Sequence, residues 1–302
     1  DDAELQQLTK KLHAKTSGNV LFVLQAVEQL KRQNILIFSR ITFQWEWKLL
    51  EEGEDLPISD NIVAVIESQI RELPPELQHV LAVAAYIRSN FCVHTLHQVL
   101  ADDDPASIYS DLHAVIDFLE QGVRERLLVP DSPTQYSFAH DRVQQAAHGL
   151  IPFGETRDKF RVRIGHCLLR MHQTASTTHD DGMLFVAADH LNSVQTKDHV
   201  FSTSMNLEVG EKALQMAAFA PAASYLRKAA SGTKRIRDPW GDHYDVCLRL
   251  YRARSSVELS LGNFALGYSL GDELILRAKS VSERLPTYLS MANALGREDK
   301  LL

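Results

Sequence analysis

The sequence predicts a mainly α-helical protein with more than one domain and two short β-hairpins, both in its first half. Apolar residues recur at helical spacing along most of the chain, as in Phe160, Ile164 and Leu168. Paired segments of alternating character occur only around residues 35–47 and 125–140. The length of 302 residues exceeds what one hydrophobic core usually holds, so we expect several domains.

The first 55 residues predict two helices followed by a hairpin. Glu4–Lys15 has helical periodicity, and Asn19 is a suitable N-cap for a second helix after the break at Thr16-Ser17-Gly18. The runs Ile35–Arg40 and Thr42–Trp47 then predict two short strands. An acidic loop, EEGEDLPISD, follows, and we place the first domain boundary in it.

Residues 56–152 predict several helices followed by a second hairpin. Ser59-Asp60-Asn61 caps the first helix, and Pro74-Pro75 ends it and starts a helix that is apolar on all sides. A longer helix runs from Asp102 through Gln121. Two strand-like runs come next, joined by the turn Asp131-Ser132-Pro133. Helices followed by a β-hairpin in a segment of this size are typical of a winged-helix domain.

Residues 153–302 predict helices to the end of the chain. The turn Leu261-Gly262-Asn263-Phe264 between two amphipathic segments is typical of helix-pair repeats, although no strict 34-residue period is present. We therefore expect a TPR-like helical-repeat region, with predicted helices at Met183–Leu191, Phe201–Met216, Pro221–Ala230, Tyr244–Leu261 and Phe264–Val281.

Composition and charge indicate a cytoplasmic protein without a membrane or nucleic-acid partner. No apolar run approaches the ~18 residues of a membrane span, and three widely spaced cysteines without a CxxC pair are typical of reduced thiols. Residues 58–152 hold five Arg, no Lys and thirteen Asp or Glu, a net charge of −8. Because duplex binding depends on Lys and Arg at the phosphates, this segment is poorly suited to DNA. The chain begins with Asp1 rather than Met, so we expect it to be part of a longer polypeptide.

The sequence contains no motif that predicts catalysis, a cofactor or a metal site in this chain. Gly149 and Gly154 have the spacing of a phosphate-binding loop, but Glu155 stands where that loop requires Lys and would repel phosphate. His94 and His97 share a predicted helix without further ligands nearby. We expect no ATPase activity from this chain alone.

The segment Tyr136–Ala147 is the best candidate for a functional site. Asp141 followed by Gln144 predicts a capping box, with a helix beginning at Arg142. His140 then lies at the junction of strand and helix, where an imidazole can donate a hydrogen bond to an anion. Taken alone, the pattern also fits a histidine that only ends a strand.

Three stretches resemble signal-transducing ATPases of the STAND class or the large kinases that carry such an ATPase module. KTSGNVLFVLQAVEQLKRQNILIF resembles the helical lid that follows their ATPase core. DNIVAVIESQIRELPPELQHVLAVAAYI and FAHDRVQQAAHGLIP resemble the large serine/threonine and histidine kinases that carry such a module. The resemblance implies that residues 1–55 are a lid remnant and that Gly18 and Asn19 face a nucleotide.

The same resemblance implies a regulatory function. In related proteins a His-Asp pair at this position senses bound ADP and holds the closed, inactive state, which assigns nucleotide sensing to His140 and Asp141. ATP or ADP with Mg would be held by an upstream ATPase core that this chain lacks. The helical repeats would then contact protein partners. Two alternatives stay open: a winged-helix transcription regulator that binds DNA, and a region of a multidomain protein kinase or histidine kinase.

Overall fold

The computed structural model describes residues 2–16, 18–40, 42–47, 56, 61–102, 107–174 and 181–298. These residues are 74% helical and form 15 α-helices, one 3-10 turn and five short strands. The prediction of a mainly α-helical fold with small β-hairpins is confirmed. The acidic loop at 51–60, in which the first domain boundary was predicted, lies outside the described residues except for Leu56.

The chain forms two compact units, Asp1–Arg157 (unit 1) and Asp158–Leu302 (unit 2). The predicted first and second domains both lie in unit 1, and their division at residue 55 stays a prediction. The elements of unit 1, in chain order, are α1 (Asp2–Thr16), α2 (Val20–Arg32), β1 (Leu36–Ser39), β2 (Gln44–Trp47), α3 (Ile62–Arg71), α4 (Pro75–Ile87), β3 (Asn90–Cys92), α5 (Val93–Ala101), η1 (Ile108–Ser110), α6 (Leu112–Arg124), β4 (Leu128–Ser132), β5 (Gln135–Phe138) and α7 (Asp141–Gly149).

The first part of unit 1 is held by an apolar cluster beneath α2. Asn19 caps α2 as predicted, because its side chain accepts a hydrogen bond from the backbone N–H of Phe22 at 3.1 Å. β1 and β2 form the predicted antiparallel hairpin. The buried cluster joins residues of α1, α2 and α3 to Leu56: Leu8, Leu12, Phe22, Ala26, Leu30 and Val65.

The second part of unit 1 is built around α4. Every residue from Val80 to Ile87 is buried, which agrees with a sequence that is apolar on all sides. Helices α5, α6 and α7 pack against it. A three-stranded antiparallel sheet has the order β3-β5-β4, so the strand before α5 pairs with the second strand of the hairpin.

Two details of this region differ from the sequence prediction. β3 was not predicted, because three residues carry too little alternation to be recognised. The predicted helix from Asp102 to Gln121 is wrong: η1 and α6 are separate elements within it. Asp111 has an extended backbone (φ −89°, ψ 117°), and its side chain accepts from the N–H of His113, so a new helix begins there.

Unit 2 is entirely helical where the structure describes it. The first helix, α8, begins shortly before the unit boundary. The helices, in chain order, are α8 (Glu155–Thr174), α9 (Asp181–Asn192), α10 (His199–Gln215), α11 (Phe219–Thr233), α12 (Pro239–Asp242), α13 (Tyr244–Ser260), α14 (Phe264–Arg277) and α15 (Val281–Glu298).

Two helix pairs, α10–α11 and α13–α14, share one turn geometry. Each first helix ends in a left-handed residue, Ala217 (φ 56°) or Gly262 (φ 82°). In each turn the N–H of the following residue donates to the carbonyl five residues earlier, Ala218 to Ala213 and Asn263 to Glu258, which is a Schellman cap. This repeated hairpin agrees with the predicted helical-repeat region.

Several helix ends in unit 2 differ from the predictions by a few residues, and the largest difference is that α14 ends at Arg277 rather than Val281. Neither α12 nor α15 was predicted as a separate helix. Pro286 lies inside α15 and obscured its pattern. Across the described ranges, no helix combines the length and hydropathy required to cross a membrane.

Candidate functional site

His140 is the N-cap of α7. Its backbone is extended (φ −160°, ψ 154°), and its carbonyl accepts from the N–H groups of Val143 and Gln144. Its side-chain Nδ1 accepts from the N–H of Arg142 at 3.1 Å. The imidazole therefore satisfies one of the N–H groups that a helix start leaves without an intrahelical partner.

The predicted capping box at Asp141 and Gln144 is wrong. The helix begins at Asp141, one residue earlier than predicted, and His140 performs the capping instead. The Gln144 side chain does not return to the cap, since its Nε2 donates to the carbonyl of Ala85 on α4 at 3.1 Å. The His140 imidazole can act as the cap because its Nδ1 occupies the position of the side-chain oxygen in an Asn or Asp cap.

Asp141 occupies the first turn, where a carboxylate interacts favourably with the helix dipole. Its Oδ1 also contacts Nδ1 of His140, and its side chain is 75% exposed. Nδ1 can either donate to Asp141 or accept from Arg142, but not both at once. In the accepting state the ring proton resides on Nε2, which has no hydrogen-bond partner among the described residues, and the side chain is 47% exposed.

The corner that carries His140 is held on both sides. Before it, the N–H of Ala139 donates to the carbonyl of Leu127 at 3.0 Å. After it, Val143, Ala146 and Ala147 are fully buried and anchor α7. The position of the imidazole is thus set by the end of the central strand β5 and by a packed helix.

Gly18 and Asn19 form the turn between α1 and α2. Gly18 has φ +74°, a conformation that favours glycine, and the N–H of Asn19 donates to the carbonyl of Thr16 at 2.9 Å. The Asn19 side chain is engaged in capping α2. Within the described residues, no hydrogen bond or ion pair joins this turn to His140 or Asp141.

A cavity of about 320 Å³ lies between α2 and the segments that lead to the His140 corner. One wall comes from α2, and the other includes the end of α6 and Ala139, the residue before His140. Gln25 lines this cavity, is only 6% exposed, and its Oε1 has no hydrogen-bond partner. The cavity brings the helix that follows Gly18 and Asn19 close to the candidate sensor corner.

Ion pairs across this cavity were missed by sequence reasoning. The Arg32 guanidinium at the end of α2 lies 2.7 Å from the Glu125 carboxylate and 3.6 Å from that of Glu72. Arg126 reaches back to Glu28 at 3.7 Å. Such pairs join residues that are distant in sequence, so no spacing rule could have identified them. They connect α2 to the ends of α3 and α6.

Over the residues that the structure describes, no group of three or more His, Cys, Asp or Glu side chains could hold a metal ion. The Nε2–H of His97 donates a hydrogen bond to the carbonyl oxygen of Ser110 at 3.0 Å. Cys92, Cys167 and Cys247 form no disulfide bond.

Comparison with known proteins gives one informative similarity. The chain is 22% identical, over 335 aligned positions, to the hybrid signal transduction histidine kinase G of Dictyostelium discoideum. The alignment covers 91% of this chain but only 10% of that kinase. No protein-family model and no solved structure matches the chain. The chain is thus similar to one region of a multidomain signalling protein, which supports a signalling-related role.

Proposed function

We propose that this chain is a non-catalytic regulatory region of a signalling ATPase of the STAND class. In this proposal, unit 1 combines the ATPase lid with a winged helix and senses the nucleotide that an upstream core holds. Unit 2 relays the nucleotide state to protein partners. The similarity to a region of a hybrid signal transduction histidine kinase supports the signalling part of this proposal.

The winged-helix assignment is supported by the topology of unit 1. The order α4, β3, α5, α6, β4, β5 gives three helices and three strands, and the first strand pairs with the last. The hairpin β4–β5 takes the position of the wing. The same topology supports comparing His140, the second residue after β5, with the sensing histidine of related proteins.

The observation that carries the proposal is the hydrogen bonding of His140. Capping uses Nδ1 as an acceptor, which selects the tautomer with a proton on Nε2. A hydrogen-bond donor on a half-exposed ring, held at a rigid corner, is suited to a phosphate oxygen brought by another domain. In this arrangement the Asp141 carboxylate complements the helix dipole, since Nδ1 of His140 carries no proton to donate to it.

DNA binding is the weaker alternative. In a winged-helix protein of the helix-turn-helix type, a helix such as α6 would enter the major groove. Its outward-facing, exposed side chains include Asp117 and Glu120 beside His113 and Arg124, and the wing carries Asp131 without a basic residue. The carboxylates of Asp117, Glu120 and Asp131 would repel the phosphate backbone.

A histidine-kinase parent is compatible with the main proposal. The relative is described as a hybrid histidine kinase, and a kinase could be the effector that this region regulates. The chain itself contains no Gly-rich kinase loop, HRD or DFG motif, so kinase activity would reside in another domain.

The experiment that tests the proposal compares the isolated chain with the full-length parent protein. Nucleotide binding is expected only in the full-length protein, and His140→Ala should raise its basal signalling output. Turnover or tight ADP binding by the purified chain, lost on mutation of one of its residues, would overturn the assignment.

A further inference from the structure

A basic pocket lies in unit 2, between the α9–α10 loop and the second half of α11. The cavity measures about 350 Å³ and contains no acidic side chain among its lining residues. The basic groups that line it are His199, Lys228 and Arg235, joined by the hydroxyl groups of Ser193, Thr196, Ser202 and Ser231. The pocket therefore favours an anionic ligand.

Neither Lys228 nor Arg235 of this pocket forms an ion pair with another residue that the structure describes. The Lys228 ammonium lies over the ring of Tyr225, 5.3 Å from its centroid. The segment 227–237 carries five basic residues and no acidic one, in a chain with a net charge of −7. The Arg235 guanidinium and the Lys228 ammonium can pair with two carboxylates of a ligand, and the guanidinium can bind one of them bidentately.

A second cavity adjoins the basic pocket across the same loop. It measures about 520 Å³, and its apolar lining includes Val162, Phe201 and Met205. Val194 and Leu191 line both cavities, so the two are neighbours at the loop. The opposite charges of Lys197 and Asp198 cancel at the second cavity, so its lining has no net charge from this pair and is mainly apolar. A ligand that spans both needs an acidic part and an apolar part.

The floor of the basic pocket is tightly packed. Gly232 lies so close to α10 that a Cβ atom there would collide with the Thr203 hydroxyl. Behind the loop, the side-chain amides of Asn192 and Asn206 donate to each other at 2.8 and 2.9 Å, and Asn206 is fully buried. The walls are thus preformed, which lowers the entropic cost of binding.

We propose that these two cavities bind an acidic peptide segment of a protein partner, with carboxylates in the basic pocket and a neighbouring apolar side chain in the second. The inference rests on the part of the proposed function that makes unit 2 a protein-binding region. It adds the chemistry of the partner: adjacent Asp or Glu residues beside a large apolar residue.

The test uses the whole chain and fluorescein-labelled peptides in which a Glu-Glu pair lies beside a Leu at short, varied spacings. Binding is measured by fluorescence anisotropy against peptides with Gln-Gln in place of Glu-Glu. Arg235→Glu should weaken binding about tenfold, because it replaces attraction by repulsion. The matched control Lys234→Glu, in the same basic segment but outside the pocket, should change affinity less than about twofold. Val194→Ser should weaken the Leu peptide but not one with Ser in place of Leu.

Equal binding of Glu-Glu and Gln-Gln peptides, or equal effects of the two charge reversals, would refute the inference. Tighter binding of a phosphoserine peptide, or displacement by inorganic phosphate or an oligonucleotide at comparable concentration, would also refute the carboxylate peptide as the ligand. Thermal unfolding of each variant verifies that it is folded. The ADP experiments on His140 do not involve this pocket, so failure here leaves the nucleotide-sensing proposal standing.

Discussion

The hydrogen bonding at the N-cap of α7 predicts the order in which three substitutions destabilise the isolated chain. His140→Ala removes the side chain that accepts from Arg142 and should destabilise α7 by about 1 kcal/mol. His140→Asn should lower the stability of α7 by no more than about a few tenths of a kcal/mol, since Asn is among the best N-cap residues. Asp141→Ala should cost about 0.3–0.5 kcal/mol, because an exposed first-turn carboxylate contributes mainly through the helix dipole.

Hydrogen exchange of peptides covering residues 139–150 measures this order locally. A local measurement is preferable because a chain of two compact units need not unfold in one step. A loss of about 1 kcal/mol of protection corresponds to roughly fivefold faster exchange for the amides of α7.

The opposite order would refute the reasoning. If Asp141→Ala accelerated exchange more than His140→Ala, the carboxylate would be the cap and the Nδ1 hydrogen bond would carry no weight. If His140→Asn were as damaging as His140→Ala, the imidazole ring would stabilise the corner by packing rather than by capping.

Two further predictions concern unit 2. Ala217→Gly should stabilise the α10–α11 pair by about 0.5–1 kcal/mol, because glycine adopts the left-handed backbone of residue 217 without strain. Gly262→Ala should destabilise the α13–α14 pair by about 1 kcal/mol, because the added Cβ meets no neighbouring atom and only the left-handed backbone opposes it. Hydrogen exchange of each helix pair measures both changes, and a change of the same sign in both would contradict the argument. The hydrogen bond from the Tyr244 hydroxyl and those from the N–H groups of Lys279 and Ser280 hold the pKa of Glu283 below its ordinary value. Its stabilisation is therefore present above the ordinary carboxyl pKa and lost as pH falls through the lowered one. The difference in thermal midpoint between the wild type and Glu283→Gln should shrink from neutral pH to about pH 3; a constant difference would contradict it.

The sequence predicted the elements that have long, regular apolar patterns. The all-round apolar segment at Val80–Ile87 is the buried helix that its composition predicted. The cap at Asn19 and the hairpin of β1 and β2 were also predicted correctly. In these cases local propensity and tertiary packing favour the same structure.

Capping chemistry was harder to read from sequence. The predicted capping box at Asp141 and Gln144 does not form, because Gln144 finds a partner on α4 and His140 takes the cap. A capping box does form at Ser280 and Glu283: the Ser280 hydroxyl accepts from the N–H of Glu283, and Glu283 accepts from the N–H of Ser280. Whether the four-residue capping-box motif forms therefore depends on the residues that pack around it.

The ion pairs around Arg32 could not be predicted for a different reason. They depend on how the end of α2 meets the ends of α3 and α6, and residues of opposite charge are common at all three. Only the tertiary fold selects Glu125 as the closest partner.

The dissociation rate of ADP from the full-length parent protein tests the central claim most directly. His140→Asn retains the cap of α7 but removes the Nε2 donor, so it separates sensing from folding. A hydrogen bond to a charged phosphate contributes ~1.5–3 kcal/mol, and we therefore predict ADP release that is roughly ten- to a hundredfold faster, with higher basal output. Unchanged ADP release and output in a folded His140→Asn protein would contradict the account and leave His140 a capping residue alone.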